Sequence, residues 1–447
     1  MPSAAAAVPA QSRPWKRALA WLLLLGPFFF ASYGFANWVA SHRAEVGVIA
    51  FEWERRIPFV AWTIIPYWTI DLLYGLSLLV CTTRRELDVH ARRLLCAQLI
   101  AVTCFLLFPL RFSFARPEAG GLPGMMFAAL AGFDKPFNQA PSLHIALLVI
   151  LWVFYLRHAR GWGVWLLHAW FTLIGVSVLT TYQHHFIDLP SGLWLGWLCV
   201  WLFPEERRSL LSTAALTGDP RRRTLAARYA AAALALGAVA ALLGGWGLWL
   251  LWPAGSLALV SVIYLLLDET AFQKRADGSM SAAAWWLLGP YFLGAWLNSR
   301  WWTRALSAAH AVVPGLLLGR LPTRAERDAL GVRSVVDLSA ELPFVSTGVS
   351  YVSVPQLDLT TPSSSTIARF AEAIDGLAKH SPVLVCCALG LSRSAMAVAG
   401  WLIATGRAAD HDDAVAQIRS VRPAVVFTPA HLAALERFAQ ERSASTV

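Results

Sequence analysis

The chain has 447 residues, of which 57% are hydrophobic and only 14% charged, with 22 tryptophans and a formal net charge of +10. That balance excludes an ordinary soluble domain, and the length leaves room for two or three domains. Most of the positive excess sits in loops between apolar runs, where it sets membrane orientation and meets anionic headgroups. It therefore does not indicate nucleic-acid binding.

Apolar runs of about 17–25 residues, long enough to cross a hydrocarbon core, predict spans at 18–40, 57–81, 94–110, 142–157, 162–182, 188–204, 225–244 and 247–267. A ninth run, 282–298, is short and broken by Gly289-Pro290. Arg13, Lys16 and Arg17 follow an Ala-rich first ten residues and precede the first run without a small-residue cleavage site. That run reads as a retained transmembrane helix. Basic residues gather in the N-terminus, at Arg84, Arg85, Arg92 and Arg93, at Arg157 and Arg160, and at Arg207, Arg208 and Arg221 to Arg223. These are alternate connections, which the positive-inside rule places in the cytoplasm, leaving 41–56, 111–141 and 183–187 outside. If 282–298 spans, residues 306–447 lie outside. Its length and its Gly-Pro break favour an interfacial or re-entrant segment, and so a cytoplasmic C-terminal domain, where a reducing compartment also protects a thiolate.

Beyond residues 300–311 the rhythm changes to alternating strand and helix. Strands are expected at 316–319 and 334–338 around a short helix from Thr323, then a strand at 351–354, an amphipathic helix at 363–379 and a strand at 383–386. Helices at 393–405, 411–420 and 429–441 follow, with Arg422-Pro423 as a breaker. The expected domains are thus 1–210 in the membrane (core about 60–205), 211–305 as additional transmembrane helices and linker, and 306–447 as one α/β domain. Cys81, Cys96, Cys104 and Cys199 lie in or beside apolar runs with no pairing pattern. No metal-ligand spacing occurs, so neither metal nor cofactor is expected.

The segment from Pro382 to Ser394 carries the clearest chemistry. A β-branched run ends on Cys387, Gly390 lets the loop curl so that its N–H groups point inward, and a helix starts near Arg393. A thiolate in that nest is a nucleophile, and the planar guanidinium of Arg393 matches two phosphate oxygens. An acid must also protonate the leaving alkoxide. Asp358, in a Thr- and Pro-bearing loop after a strand, is the candidate, with a helix N-cap or turn role as its other reading. Ser394 can donate a hydrogen bond to the sulfur when the phosphoenzyme breaks down. Residues 312–441 resemble the dual-specificity domains of the tyrosine phosphatase superfamily, whose signature is His-Cys, five residues, Arg, then Ser or Thr. Cys387, Gly390, Arg393 and Ser394 fall on it, and Asp358 lies 29 residues upstream of the cysteine, about where that family keeps its acid. Cys386 replaces the histidine. It reads as a buried strand-end thiol, with an oxidation partner for Cys387 as the alternative.

A second set of polar residues lies at the outward ends of spans: Arg111, Arg116-Pro117, Pro141-Ser142-Leu143-His144 and His184-His185-Phe186-Ile187-Asp188. Ionisable groups there are costly and usually functional or paired. An imidazole can attack phosphorus when a carboxylate holds its other nitrogen, and His184 and Asp188 have the i, i+4 spacing of one helix face. His144 can protonate a departing alcohol, while Ser142 and the arginines can bind phosphate oxygens. Residues 60–205 resemble the type 2 phosphatidic acid phosphatase superfamily through Pro141 to His144 (second motif), His184 with Asp188 (third motif) and Arg116-Pro117 (end of the first). The resemblance implies His184 as nucleophile, Asp188 as its orienting partner and His144 as general acid. Pro109 stands where the first-motif lysine belongs, with Arg111 as its stand-in, and Val178 stands where a third-motif arginine belongs. The double histidine is closer to the inositol-phosphorylceramide synthase branch, which transfers a headgroup rather than hydrolysing a monoester. His185 reads as a neighbour rather than a catalyst, and His168 as a packing histidine.

The fold class expected is a polytopic α-helical membrane domain followed by an α/β dual-specificity phosphatase domain. The combined resemblance is to bacterial fusions of the two families. It implies an inner-membrane enzyme, a periplasmic histidine site, a cytoplasmic cysteine site and phosphoenzyme chemistry without metal. The implied partners are the bilayer and a phosphorylated lipid, such as a phosphatidylglycerol phosphate or phosphatidylinositol phosphate. Two other readings stay open: a membrane-anchored protein phosphatase, and a non-enzymatic phosphate-binding scaffold.

Overall fold

The computed structural model describes residues 13–378 and 382–446. The Ala-rich first ten residues and the last position of the helix expected over 363–379 lie outside them. Two compact units result, Met1–Thr213 and Ala214–Val447.

The first unit is helical: α1 (Trp15–Ser41), α2 (Ile64–Val80), α3 (Arg84–Leu107), α4 (Gly121–Phe133), α5 (Leu143–His158), α6 (Gly163–Thr180), α7 (Asp188–Leu202) and the short α8 (Leu210–Thr213). Helix α3 starts ten residues before the expected span because the Thr83 side chain accepts the Glu86 N–H at 3.1 Å and caps it there. Helix α4 occupies part of 111–141, which the sequence reading treated as a plain connection. Among the described residues six helices are long and apolar enough to cross a membrane: Trp15–Ser41, Ala61–Val80, Arg84–Leu107, Gly163–Thr180, Pro220–Leu243 and Gly245–Leu266.

Helices α5 and α7 are shorter and form the centre of this unit. Gly192 and Gly196, one turn apart on α7, face the first turns of α5, where a Cβ on either would collide with Ile145 or Val149. This small-xxx-small spacing lets the two backbones approach closely. It also sets the start of α5 beside the start of α7. The opposite end of the unit is basic. There Arg17 pairs with Asp88 at 2.6 Å, Arg93 donates to the Phe203 carbonyl and to Glu205, Arg157 pairs with Glu205, and His158 with Glu86. These ion pairs and the motif histidines therefore occupy opposite ends of the bundle.

The second unit opens with α9 (Pro220–Leu243), α10 (Leu251–Leu266) and α11 (Ala282–Trp302). The run expected to break at Gly289-Pro290 is one continuous 21-residue helix. Pro290 has no N–H for the carbonyl of Trp286, and the Trp252 indole of α10 donates to that carbonyl at 2.8 Å instead. The orphaned acceptor is satisfied from outside, so the helix continues.

The rest of this unit is a five-stranded sheet with helices. In chain order these are β1 (Ala309–Val313), β2 (Leu316–Arg320), α12 (Arg324–Ala329), β3 (Ser334–Ser339), β4 (Ser350–Gln356), α13 (Ser364–Ala378), β5 (Val383–Cys387), α14 (Arg393–Ala404), α15 (His411–Val421) and α16 (Pro429–Thr446). The sheet order is β1-β2-β5-β3-β4; all neighbours are parallel except β1, which pairs antiparallel with β2. Strand β1 lies in the stretch read from sequence as the domain boundary. One face of the sheet packs on α13 and α14 through Ile367, Phe370, Ile374 and Val398. Full burial of such side chains contributes about 1.5–3 kcal/mol each. The other face holds Val335, Leu384 and Cys386, with Ala295 of α11 packed against them.

The segment between α10 and α11 is tied to the sheet by a buried cation. Lys274 Nζ donates to Asp337 Oδ2 at 2.5 Å and to the Ser339 carbonyl at 2.8 Å, while the Tyr351 hydroxyl donates to the same carboxylate at 2.9 Å. Removing one partner of such a pair strands the other charge. Lys274→Met is expected to destabilise this unit by about 3–5 kcal/mol. Adding Asp337→Asn should recover most of the loss, read by denaturant unfolding in detergent.

Candidate active sites

Cys387 ends β5, the central strand, and is 2% exposed. The Gly390 N–H points at its sulfur from 3.3 Å, and Ser394 Oγ lies 3.4 Å from it. Gly390 has φ +70°, a conformation that favours glycine, and a Cβ there would overlap the Gly319 backbone of β2. The Gly390 carbonyl, turned away, accepts from Arg422 Nε at 2.9 Å. Arg393 is the first residue of α14, so the helix N-terminus and the guanidinium face the same loop. Cys386 is fully buried on the opposite sheet face, as strand alternation requires, and burial pushes its thiol well above the usual range. This matches the buried-thiol reading rather than that of an oxidation partner.

The Arg393 charge is buried and clamped. Its two terminal nitrogens donate to Glu341 at 2.8 and 2.5 Å, one also donates to the Gln356 carbonyl at 2.9 Å, and Asp358 Oδ1 lies 3.2 Å away. Burial opposes the Arg393 charge, but Asp358 and Glu341 more than offset it and hold the group charged. Burial likewise raises Glu341, yet Arg393 brings it below the usual carboxylate range. Asp358 is half-buried, and there burial wins: its carboxyl is pushed up, with Arg393 opposing and Glu341 reinforcing. A carboxyl held protonated to higher pH is suited to donating a proton. Cys387, Gly390, Arg393, Ser394 and Asp358 are thus all brought together.

At the other end of the first unit, His184 Nδ1 lies 3.2 Å from Asp188 Oδ2 and His184 Nε2 lies 3.1 Å from Ser142 Oγ. A carboxylate only accepts, so Nδ1 carries the proton and Nε2 presents its lone pair. Ser142 caps α5 and Asp188 opens α7, so the close approach of those helices builds the cluster. His144 stacks on Tyr67 with ring centroids 4.2 Å apart, and its Nε2 has no hydrogen-bond partner among the described residues. Arg116 donates to the Tyr182 carbonyl and lies over the Phe127 ring. The Arg111 side chain is exposed, and no described contact joins it to the histidines. His185 pairs with Glu54 at 2.9 Å and with Ser113, as a neighbour rather than a member of the triad. His168 accepts from the Trp152 indole.

Residues 319–441 match the family described as dual specificity phosphatase, catalytic domain. The chain carries a dual-specificity phosphatase domain. That places its C-terminal part among the phosphoric ester hydrolases. Similar solved structures include PTPMT1 in complex with PI(5)P (26% identity, 31% of this chain and 99% of that chain, TM-score 0.29). Human DUSP28 has 22% identity over 30% and 99% of the two chains, with TM-score 0.28. Tk-PTP in its active form has 24% identity over 30% and 98%, with TM-score 0.28. No curated protein matches the chain.

Several residues of these sites carry no local signal in the sequence. Glu341 stands 52 residues from the arginine it clamps. Arg422, read as half of a helix breaker, holds the phosphatase-domain loop from the far side. Asp134, within electrostatic range of His184 and Arg116, accepts from the Tyr33 hydroxyl at 2.9 Å. Glu54 lies in a short 3₁₀ helix, Glu52–Arg56, within the connection 41–56. The sharpest local test of the cysteine loop is Gly390→Ala. With no room for a Cβ, orthovanadate binding should fall about 10-fold or more, read by inhibition titration, while Gly376→Ala on the exposed face of α13, where a Cβ meets nothing, leaves it unchanged.

Proposed function

We propose that the chain is a bifunctional membrane phosphatase acting on phosphorylated lipids. The observation that carries this reading is the Tyr264 hydroxyl of α10, within a helix long and apolar enough to cross a membrane, donating to the Asp358 carbonyl at 3.1 Å. A phosphate site built onto such a helix meets headgroups at the bilayer surface, where tethering raises the effective concentration of the enzyme. The positive-inside rule supports a cytoplasmic side for this site, since Arg221, Arg222 and Arg223 open α9 and Arg222 donates to the Ile263 and Tyr264 carbonyls.

At the cysteine site the sulfur of Cys387 attacks phosphorus, forming the S–P bond as the P–O bond to the lipid breaks. Asp358 gives its proton to the departing alkoxide, and Arg393 with the loop N–H groups holds the equatorial oxygens. Water then attacks phosphorus and gives a proton to the Asp358 carboxylate. The S–P bond breaks while Ser394 stabilises the leaving sulfur. At the histidine site, whose relatives in this reading are type 2 phosphatidic acid phosphatases, Nε2 of His184 is the nucleophile. Asp188 holds its tautomer, and His144 protonates the alcohol that leaves. Hydrolysis or headgroup transfer then depends on whether water or a lipid hydroxyl enters. Neither route calls for a metal.

The test is phosphate release in proteoliposomes from a panel of lipid phosphates and phosphopeptides, using wild type, Cys387→Ser and His184→Ala. Each substitution should abolish a distinct part of the lipid activity, by at least 100-fold. Full lipid activity in Cys387→Ser would assign that role to the membrane core alone. Loss of phosphopeptide turnover only would make the cysteine domain protein-directed, and no change in either variant would leave a scaffold.

A further inference from the structure

Three tyrosines from three successive helices converge on the phosphatase-domain site. Tyr229 of α9 and Tyr264 of α10 have ring centroids 5.6 Å apart, and Tyr291 of α11 lies 5.9 Å from Tyr229. Tyr264 is 1% exposed. Its position is fixed from behind, because Arg222 of α9 donates to the carbonyls of Ile263, Tyr264 and Leu267 at the C-terminal end of α10. The only hydroxyl contact described for it is the donation to the Asp358 carbonyl.

The loop it touches is strained. Leu359, immediately after Asp358, has φ +59°, a left-handed conformation that costs a non-glycine residue free energy and persists only where surrounding contacts over-determine it. Those contacts can be named. On one side Arg393 donates to the Gln356 carbonyl, and within the loop Gln356 Nε2 donates to Thr360 Oγ1 at 2.7 Å and Thr360 Oγ1 to the Leu357 carbonyl at 2.7 Å. On the other side stands Tyr264. The Asp358 carboxyl, 3.2 Å from Arg393, also has a backbone hydrogen bond with Leu359, so the geometry of the Asp358–Leu359 peptide sets where the carboxyl stands.

We propose that Tyr264, a residue of the apolar hairpin and not of the phosphatase domain, is a positioning residue that holds the Asp358 loop in its proton-donating conformation. This rests on the reading of Asp358 as the acid. It gives the α9–α10 hairpin a part in turnover beyond anchoring, since any displacement of α10 relative to the sheet releases the loop.

The leaving group discriminates positioning from general structural support. An alkyl phosphate leaves as a strongly basic alkoxide and needs the acid; an aryl phosphate with a fluorinated, acidic phenol does not. In proteoliposomes of the full chain, Tyr264→Phe should lower kcat for the alkyl ester about 10-fold and leave the fluorinated aryl ester within about twofold. Asp358→Asn should show the same split, larger. Leu359→Gly, which removes the strain at φ > 0, should restore much of the alkyl-ester rate in the Tyr264→Phe background. Equal loss on both esters, no loss on either, or no recovery with Leu359→Gly would overturn the proposal. An absent split in Asp358→Asn would instead remove the acid assignment beneath it. Retained activity in Cys387→Ser would show that the function reading itself had failed.

Discussion

The cysteine site depends on one constraint, the burial of the Arg393 guanidinium. A cation taken out of water must be matched, and Glu341 matches it with two hydrogen bonds of 2.8 and 2.5 Å. The rest of the site is arranged around that pair. Glu341 follows β3, Gln356 ends β4 with Asp358 just beyond it, Cys387 ends β5 and Arg393 begins α14. The parallel order β5-β3-β4 thus delivers every polar group to one edge of the sheet. Burial raises the carboxyl of Asp358 beside this pair, with Arg393 opposing the shift.

In the helical unit the corresponding constraint is steric. Gly192 and Gly196 let α7 and α5 approach, and the helix starts that result place Ser142, His184 and Asp188 within hydrogen-bonding distance. The two units build their polar clusters by different means: a glycine turn and helix N-terminus around sulfur in one, paired helix starts around imidazole in the other. No group of three or more His, Cys, Asp or Glu side chains that could hold a metal ion occurs among the described residues.

Much of this was legible in the sequence because the signals are local. The four strands 316–320, 334–339, 350–356 and 383–387 lie where short apolar runs pointed, and Cys387, Gly390, Arg393 and Ser394 sit within eight consecutive residues. His184 and Asp188 are four residues apart, although His184 lies in the turn before α7, which begins at Asp188, and not on a helix face shared with it. What escaped is what the chain brings together from a distance. Glu341 has no neighbour in sequence that marks it as the partner of Arg393, and Tyr264 looks like any aromatic in an apolar run. Strand β1 is too short and too weakly patterned to separate from a linker. Helix α11 defeats the proline rule because the indole of Trp252 supplies the donor its backbone lacks.

The central claim is that Cys387 takes phosphate from a lipid held in a bilayer. It is tested most directly by rapid denaturing quench of the full chain in vesicles carrying a radiolabelled lipid phosphate, followed by peptide mapping of the covalent label. Labelled phosphate is expected on Cys387 within a turnover, absent in Cys387→Ser and distinct from any acid-labile label on His184. A Cys387 that is labelled by a phosphopeptide and never by the vesicle lipid would contradict it.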